Sequence, residues 1–578
     1  MGSQHRSLAL ALTATLLASC AGSNVDTKVA SPPEPAAEPA AQEVAADSVV
    51  VTGTRVPMAN MSKVGRAEMY TMSPPPPPPM APMISPGVWN PPYQDVGRDK
   101  FTNFAENSFK IVREAPVSTF SIDVDTASYS WVRASLNQKL LPQPAAVRTE
   151  EMVNYFHYDY APPRSTAQPF STNVAVFPSP WAPGRKLVRI GIKGYEVQRA
   201  ARPRANLVFL VDTSGSMNAA NKLPLVQQSL RMLLNELDER DTVAIVTYAG
   251  SAGTALVPTP VSQKQRILAV IDELGAGGST AGAEGIRQAY NLAEANYDPK
   301  GVNRVILATD GDFNVGITDQ GELKGYIERQ RGKGVFLSVL GFGMGNYNDA
   351  LMQTLAQNGN GTAAYIDTVS EARKTLVEEA GSTLFTIAKD VKIQVEFNPA
   401  AVAEYRLIGY ETRALNRDDF DNDKVDAGDV GSGQTVTALY EVVPIGGPRT
   451  MDGSRYSPDL ILSSRRNPNS PNATELGFVK IRYKLPKSDS SKLISTPINA
   501  SVQFASFDAA PRDARFAIAV AGFAELLRGG RYTGSLSYGD VLRIASASRG
   551  PDESGYRSEF IQLVKAAESA RSLAKLER

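Results

Sequence analysis

The sequence of 578 residues has very little cysteine and histidine: one cysteine, Cys20, and two histidines, His5 and His157. A single cysteine excludes a disulfide within the chain, and so few of these side chains exclude a Cys/His zinc site. Lys plus Arg and Asp plus Glu number 60 each, so the formal net charge is zero. A neutral chain is unlike a nucleic-acid binder that works by neutralising phosphates, so we expect no nucleic-acid partner.

The sequence also lacks an apolar run that is long enough to span a membrane. A short apolar run lies near the N-terminus. His5 and Arg6 precede this run, which is too short to span a bilayer as a mature helix, and the sequence LASC ends at Cys20. The pattern resembles a bacterial lipoprotein signal, which implies cleavage before Cys20 and lipidation of that residue. The alternative is an ordinary signal peptide with small residues at its cleavage site. We expect a lipid-anchored protein of the bacterial cell envelope, at the outer rather than the inner membrane because Ala21 follows the cysteine.

The next 80 residues lack the apolar side chains needed for a core. Residues 31–46 are rich in Pro, Ala and Glu, and residues 74–79 are all proline. Such a composition favours an extended tether. Within it, residues 49–56 (VVVTGTRV) resemble the short strand that opens the plug of TonB-dependent receptors. This segment is either a chance β-prone piece of linker or a strand that adds to the sheet edge of a partner.

The strongest signal in the chain is an apolar run, residues 207–211, that ends at Asp212 and is followed by Ser214 and Ser216. A buried parallel strand followed by a strand-to-helix turn gives this pattern. Ligands of open α/β sheets bind at the carboxyl ends of the strands. The turn offers one carboxylate and two hydroxyls, which are hard oxygen donors of the kind that suits Mg²⁺, Mn²⁺ or Ca²⁺ rather than zinc.

This D-x-S-x-S motif resembles the first motif of the von Willebrand factor type A family. Two further pieces match that family in order and context: the run GGST ending at Thr280, and the strand pattern VILATDG that contains Asp310. The resemblance implies a doubly wound α/β fold and a metal-ion-dependent adhesion site. The implied metal ligands are Asp212, Ser214, Ser216, Thr280 and Asp310, and the implied cofactor is Mg²⁺, with Mn²⁺ or Ca²⁺ as alternatives.

Strand patterns flank this α/β region on both sides, at residues 170–198 and again after residue 390, and helical patterns close the chain. We expect the α/β domain to be inserted in or flanked by a β-sandwich, with residues 170–198 pairing with strands after residue 390. A small α/β module precedes it and helices follow it. This order resembles bacterial von Willebrand factor type A lipoproteins. The predicted parts are 1–19 signal peptide, 20–100 tether, 101–165 N-terminal module, 166–203 sandwich strands, 204–385 type A domain, 386–505 β-rich domain and 506–578 C-terminal helices.

The resemblance implies a membrane-tethered module that binds a protein through its metal. A Glu or Asp of the partner would complete the coordination of the cation. No P-loop motif is present, and neither histidine falls in the type A region, so we expect neither an enzyme nor a small-molecule substrate. Two alternatives remain: a structural envelope protein with a vestigial metal site, and a Mg²⁺-dependent enzyme with a lysine-activated serine.

Overall fold

The computed structural model describes residues 99–122, 125–165, 167–277, 282–311, 320–345, 347–452 and 474–576. Several sequence predictions lie outside these residues: the lipid anchor at Cys20, the tether up to residue 98 with its segment 49–56, and the metal ligand Thr280. Within the described part of the chain, no helix has both the length and the apolar character needed to cross a membrane.

The described strands build one mixed and two antiparallel sheets. In chain order they are β1 (Lys110–Ile111), β2 (Val117–Ser121), β3 (Phe170–Pro178), β4 (Lys186–Gly194), β5 (Ala205–Asp212), β6 (Thr242–Tyr248), β7 (Ala252–Pro260), β8 (Val302–Thr309), β9 (Phe336–Phe342), β10 (Ala363–Ile366), β11 (Thr386–Phe397), β12 (Val402–Ile408), β13 (Ala414–Leu415), β14 (Gly428–Gly431), β15 (Thr435–Pro444), β16 (Gly477–Lys484) and β17 (Ser491–Ile498).

The described helices cover the mixed sheet and form the C-terminal part of the chain. In order they are α1 (Ala127–Asn137), α2 (Thr149–Asn154), α3 (Leu223–Glu236), α4 (Lys264–Glu273), α5 (Gly282–Ala295), α6 (Gln320–Gly332), α7 (Asp349–Asn358), α8 (Val369–Arg373), α9 (Ala380–Leu384), α10 (Arg512–Leu527), α11 (Tyr538–Ser548) and α12 (Tyr556–Leu576). A π-helical segment, Lys374–Glu378, follows α8 directly.

The mixed sheet has the strand order β10-β9-β8-β5-β6-β7, and only its edge strand β7 runs antiparallel to its neighbour. Side chains of β5 alternate between two cores. Val208 and Leu210 pack with α5, α6 and α7, whereas Leu207, Phe209 and Val211 pack with α3 and α4. Because helices cover both faces, β5 is buried at every position, which explains the continuous apolar run in the sequence. The predicted α/β sheet with helices on it is confirmed.

Two antiparallel sheets accompany the α/β domain, with strand orders β1-β12-β15-β4-β3 and β13-β2-β11-β16-β17, and β14 pairs with β11. Their buried side chains form one hydrophobic cluster. Within it Phe397 of one sheet stacks on Tyr405 of the other, with ring centroids 4.6 Å apart. Strand β4 precedes the α/β domain and pairs with β15, which follows it. The predicted pairing of residues 170–198 with strands after residue 390 is therefore present.

Residues 101–165, which the sequence predicted to form a small N-terminal module, contribute to several cores. Strand β1 pairs with β12, and β2 lies between β11 and β13. Helix α1 packs on the α/β domain, where the Trp131 ring lies 5.5 Å from that of Tyr347 and 5.2 Å from that of Tyr365. Two short strands and two short helices bury too little apolar surface to fold alone, so they join larger sheets.

Helices α10, α11 and α12 share a core with α2. The rings of Phe516 and Phe560 meet edge to face at 5.6 Å, and Phe156 lies against both. The positions that the helical spacing assigned to a core are all buried: Phe516, Val520, Phe523, Leu527, Phe560, Leu563, Val564 and Ala567. Their interpretation as core rather than partner surface is confirmed.

Candidate functional site

The sheet topology brings two of the predicted metal ligands together at the carboxyl-terminal end of the mixed sheet. Asp212 is the last residue of β5, and Asp310 directly follows β8. These strands are parallel neighbours, with Val211 opposite Ala308. The carboxyl ends of parallel neighbouring strands lie side by side. The two aspartates are therefore neighbours at the carboxyl-terminal end of the sheet, where ligands of α/β sheets bind.

Asp212 is fully buried and held by hydrogen bonds on both carboxylate oxygens. The backbone N–H of Ser214 donates to its Oδ1 at 2.9 Å, and the hydroxyl of Thr309 donates to its Oδ2 at 3.3 Å. Burial raises the pKa of Asp212, and the negative charge of Asp310 raises it further, against the hydrogen bonds of Ser214, which lower it. The net rise shows that the surroundings disfavour the bare carboxylate, which a nearby cation would stabilise.

The two motif serines extend this donor set from the buried carboxylate towards solvent. The hydroxyls of Ser214 and Ser216 lie 3.0 Å apart. Ser214 is buried, whereas Ser216 is exposed in the 3₁₀ turn Gly215–Asn218. Met217 fixes this turn, because its side chain is buried in the core beneath α3. The oxygen donors therefore lie at the carboxyl-terminal end of the sheet, and this group of donors is exposed to solvent at Ser216.

Thr280 itself is not among the described residues, but the chain shortly before it is. The backbone N–H of Gly277 donates to the carbonyl oxygen of Thr213 at 2.8 Å. Thr213 lies between Asp212 and Ser214 in the D-x-S-x-S turn. The first residue of the GGST motif is thus hydrogen-bonded directly to the D-x-S-x-S turn.

Lys222 is a member of this site that sequence reasoning missed. Its Nζ donates to Asp310 Oδ2 at 2.8 Å, and both side chains are largely buried, at 11% and 0% exposure. Lys222 directly precedes α3, which has Pro224 in its first turn. A lysine at a helix start is ordinarily a surface residue, so nothing in its local sequence singled it out. A proline in the first turn, such as Pro224, is typical of a helix start, but it does not indicate the contact with Asp310, 88 positions away.

Tyr248 is a second residue of the site that the sequence did not reveal. It is the last residue of β6, lies opposite Asp212 in the strand register and is fully buried. Burial raises the pKa of Tyr248, and the nearby charge of Asp212 raises it further. The phenol therefore stays protonated, and the negative charge of the site comes from its carboxylates.

The donor chemistry of the site fits a divalent cation of the Mg²⁺ type. Two carboxylates, two hydroxyls and no sulfur or imidazole ligand make a hard oxygen set. The ammonium of Lys222 lies beside Asp310 and supplies a positive charge there. In the described ranges no group of three or more Asp, Glu, His or Cys side chains is arranged to hold a metal ion, so the serine hydroxyls are essential to this interpretation.

Family patterns match consecutive parts of the chain. The pattern of the von Willebrand factor type A domain matches residues 206–379, which include both site aspartates. A pattern described as von Willebrand factor matches residues 95–189. A pattern described as the C-terminal part of the uncharacterized protein YfbK matches residues 382–570. The resemblance that the sequence motifs carried is thus confirmed for the type A domain.

Similar proteins extend this result beyond the α/β domain. YfbK of Escherichia coli (strain K12) is 44% identical over 485 residues, which are 83% of this chain and 83% of YfbK. Inter-alpha-trypsin inhibitor heavy chain H3 of Homo sapiens is 27% identical over 192 residues, or 31% of this chain and 21% of that protein. A solved von Willebrand factor type A protein from Catenulispora acidiphila is 14% identical, with a TM-score of 0.38 over 68% of this chain and 89% of that one.

Proposed function

The chain belongs to the family of the Escherichia coli protein YfbK, and we propose that it is a protein-binding module of the bacterial cell envelope that works through a divalent cation. The cation would be Mg²⁺, with Mn²⁺ or Ca²⁺ as alternatives that suit the same oxygen donors. The residues that would hold it are those of the adhesion-site motif: Asp212, Ser214, Ser216, Thr280 and Asp310.

The observation that carries this proposal is the meeting of Asp212 and Asp310 at the ends of neighbouring strands, with the Ser214 and Ser216 hydroxyls beside them. When bound, a divalent cation supplies positive charge and a coordination position that a partner's Glu or Asp can fill. Asp212 is fixed by two hydrogen bonds and Met217 anchors the turn, so the chain holds its donors in one orientation. The exposed side of Ser216 is where a partner would approach.

Thermal unfolding with Mg²⁺ or with EDTA tests the cation. The wild type should gain stability with metal by roughly 2.7 kcal/mol at a hundredfold excess over Kd. Asp212→Asn keeps an acceptor for the Ser214 N–H but removes the charge, so it should lose this gain. The matched control is Asp272→Asn, which changes an exposed aspartate paired with Arg231 and should keep the full gain. An equal gain in wild type and Asp212→Asn would place the cation elsewhere.

Crosslinking in cells tests the partner. Proteins crosslinked to the wild type should be depleted by Asp212→Asn and by EDTA, but not by Asp272→Asn. A partner set that is the same in all of these conditions would show that binding does not depend on the cation.

We also propose that the protein is lipid-anchored through Cys20, at the outer membrane. The support is the sequence LASC that ends at this only cysteine, followed by Ala21. Cys20→Ser should release the protein into the soluble envelope fraction or leave it unprocessed, as fractionation and mass spectrometry would show. A variant that is processed correctly and stays in the membrane would contradict the anchor.

One observation favours a second candidate, a structural envelope protein whose metal site is vestigial. The Lys222 ammonium already neutralises Asp310, so the site has an internal cation. In that case metal would not stabilise the wild type. The same contact weighs against Lys222 as the base of the enzyme alternative, because its ammonium is hydrogen-bonded to a carboxylate.

A further inference from the structure

We propose that Lys222 is a built-in counter-cation of the metal site: its ammonium neutralises Asp310 in the metal-free protein, and a divalent cation binds by replacing this contact. This inference rests on the proposed metal-dependent function and adds how the site is regulated. Lys222 then sets the metal concentration at which the site fills. It also links filling of the site to the start of α3, which Lys222 directly precedes.

The first support is the contact itself. Lys222 Nζ lies 2.8 Å from Asp310 Oδ2, with 11% of the lysine side chain and none of the aspartate side chain exposed. A charge-assisted hydrogen bond that is shielded from water is stronger than an exposed ion pair. A cation that coordinates Asp310 directly or through water approaches the same carboxylate. The two positive charges therefore compete for it.

The second support is the way in which the lysine arm is held. Its backbone is fixed, since the Lys222 N–H donates to the carbonyl of Ala219 and the Val226 N–H donates to the carbonyl of Lys222, both at 2.9 Å. Its aliphatic stem packs on Gly343, just after β9, where a Cβ would lie 2.4 Å from the Lys222 Cε. Gly343 also has a φ of +73°, which favours glycine. Backbone and stem together direct the ammonium at Asp310.

Metal titration of the full chain and of Lys222→Met tests the competition. Methionine keeps most of the aliphatic stem and removes the charge. We expect the Mg²⁺ affinity to rise on the order of tenfold to a hundredfold, because a hydrogen bond between charged groups no longer has to be broken. In EDTA the variant should be less stable than wild type, since this partner of Asp310 is gone. Lys300→Met, at an exposed turn of the same domain, is the matched control and should leave the affinity unchanged.

A measurement on the wild type makes the test independent of any variant. If metal displaces the ammonium, Lys222 should become more reactive towards an amine-acetylating reagent when Mg²⁺ is added, while Lys300 should not change. Peptide mass spectrometry reads both lysines in one sample. A purely structural lysine, which only anchors the start of α3, would keep its low reactivity.

The outcomes separate this inference from the proposed function. Tighter binding by Lys222→Met, together with metal-induced acetylation, supports the counter-cation. Binding to the variant alone overturns both the metal-dependent function of the wild type and the replacement of Lys222 by metal, and it favours the vestigial site. Equal or weaker binding by Lys222→Met overturns the counter-cation while the metal-dependent function stands. Mg²⁺ binding to neither protein overturns both.

Discussion

A buried ionic cluster around Arg133 joins parts of the chain that are distant in sequence, and removing its cation should be costly. Arg133 lies in α1 and is 1% exposed. Its Nε donates to Asp367 at 2.9 Å, and its guanidinium also bonds Glu371 at 2.7 Å and Glu559 at 3.0 Å. Asp367 and Glu371 belong to the end of the α/β domain, and Glu559 belongs to α12. One side chain therefore ties helix α1, the α/β domain and the C-terminal helices together.

The size of the effect follows from what Arg133→Met leaves behind. Methionine fills much of the volume but leaves Asp367 and Glu371, whose side chains are 7% and 0% exposed, without this cation. Breaking a buried ion pair by removing one partner costs about 3–5 kcal/mol. The matched control, Arg231→Met, removes an exposed arginine from its pair with Asp272, where about 0–1 kcal/mol is expected.

The loss should depend on pH in a definite direction. Burial already raises the pKa of Asp367, while the hydrogen bond and charge of Arg133 lower it. Without the guanidinium the folded-state pKa rises further above the unfolded value, so the folded variant binds more protons than the unfolded chain. Its stability then falls as pH rises through that pKa. The difference in the free energy of unfolding between wild type and variant should therefore be smaller at about pH 5 than at about pH 7.

Urea unfolding monitored by tryptophan fluorescence measures the free energy of unfolding of each variant. The buried Trp131 is a suitable probe because it lies in the same helix as Arg133. Adding Asp367→Asn and Glu371→Gln to Arg133→Met should recover much of the lost stability, since the unpaired charges are then gone. A loss below about 1 kcal/mol that is equal at both pH values would refute the reasoning, because exposed pairs behave in that way.

Three further predictions concern other parts of the fold. Burial raises the pKa of Asp429 to about 7, so stability should fall as pH rises through that value, and Asp429→Asn should remove this fall between about pH 5 and about pH 8 in urea unfolding. The hydroxyl of Ser537, the N-cap of α11, accepts a hydrogen bond from the Asp540 N–H at 3.2 Å. Ser537→Ala removes this cap and should lower the free energy of unfolding by about 1 kcal/mol. The control Ser535→Ala, at an exposed serine just before the helix, should leave the free energy of unfolding almost unchanged. Residues 204–385 expressed alone should unfold cooperatively but at a lower temperature than in the full chain, because the Trp131 contact is missing; a calorimetric scan without a transition would contradict an autonomous domain.

Much of the α/β domain and its site could be predicted because the signals are local. The apolar run of β5 is buried on both faces and ends at Asp212, where the polarity of the side chains changes. Ser214 and Ser216 follow within a few residues, and the strand before Asp310 shows the same apolar run. Helical spacing likewise located Phe516 and Phe560 in a core. In each case neighbouring residues in sequence are neighbours in the structure, so their periodicity reports their environment.

The tertiary structure alone decided which distant segments meet. Residues 101–165 have strand and helix patterns, but nothing in them shows that β1 and β2 join two larger sheets formed mainly by later strands. Nothing in the sequence around Arg133 indicates that it lies among carboxylates from two distant parts of the chain, the end of the α/β domain and α12. The contact between Lys222 and Asp310 depends on the start of α3 reaching the end of β8, 88 positions away. Such contacts arise from packing between elements, which the periodicity of one element does not encode.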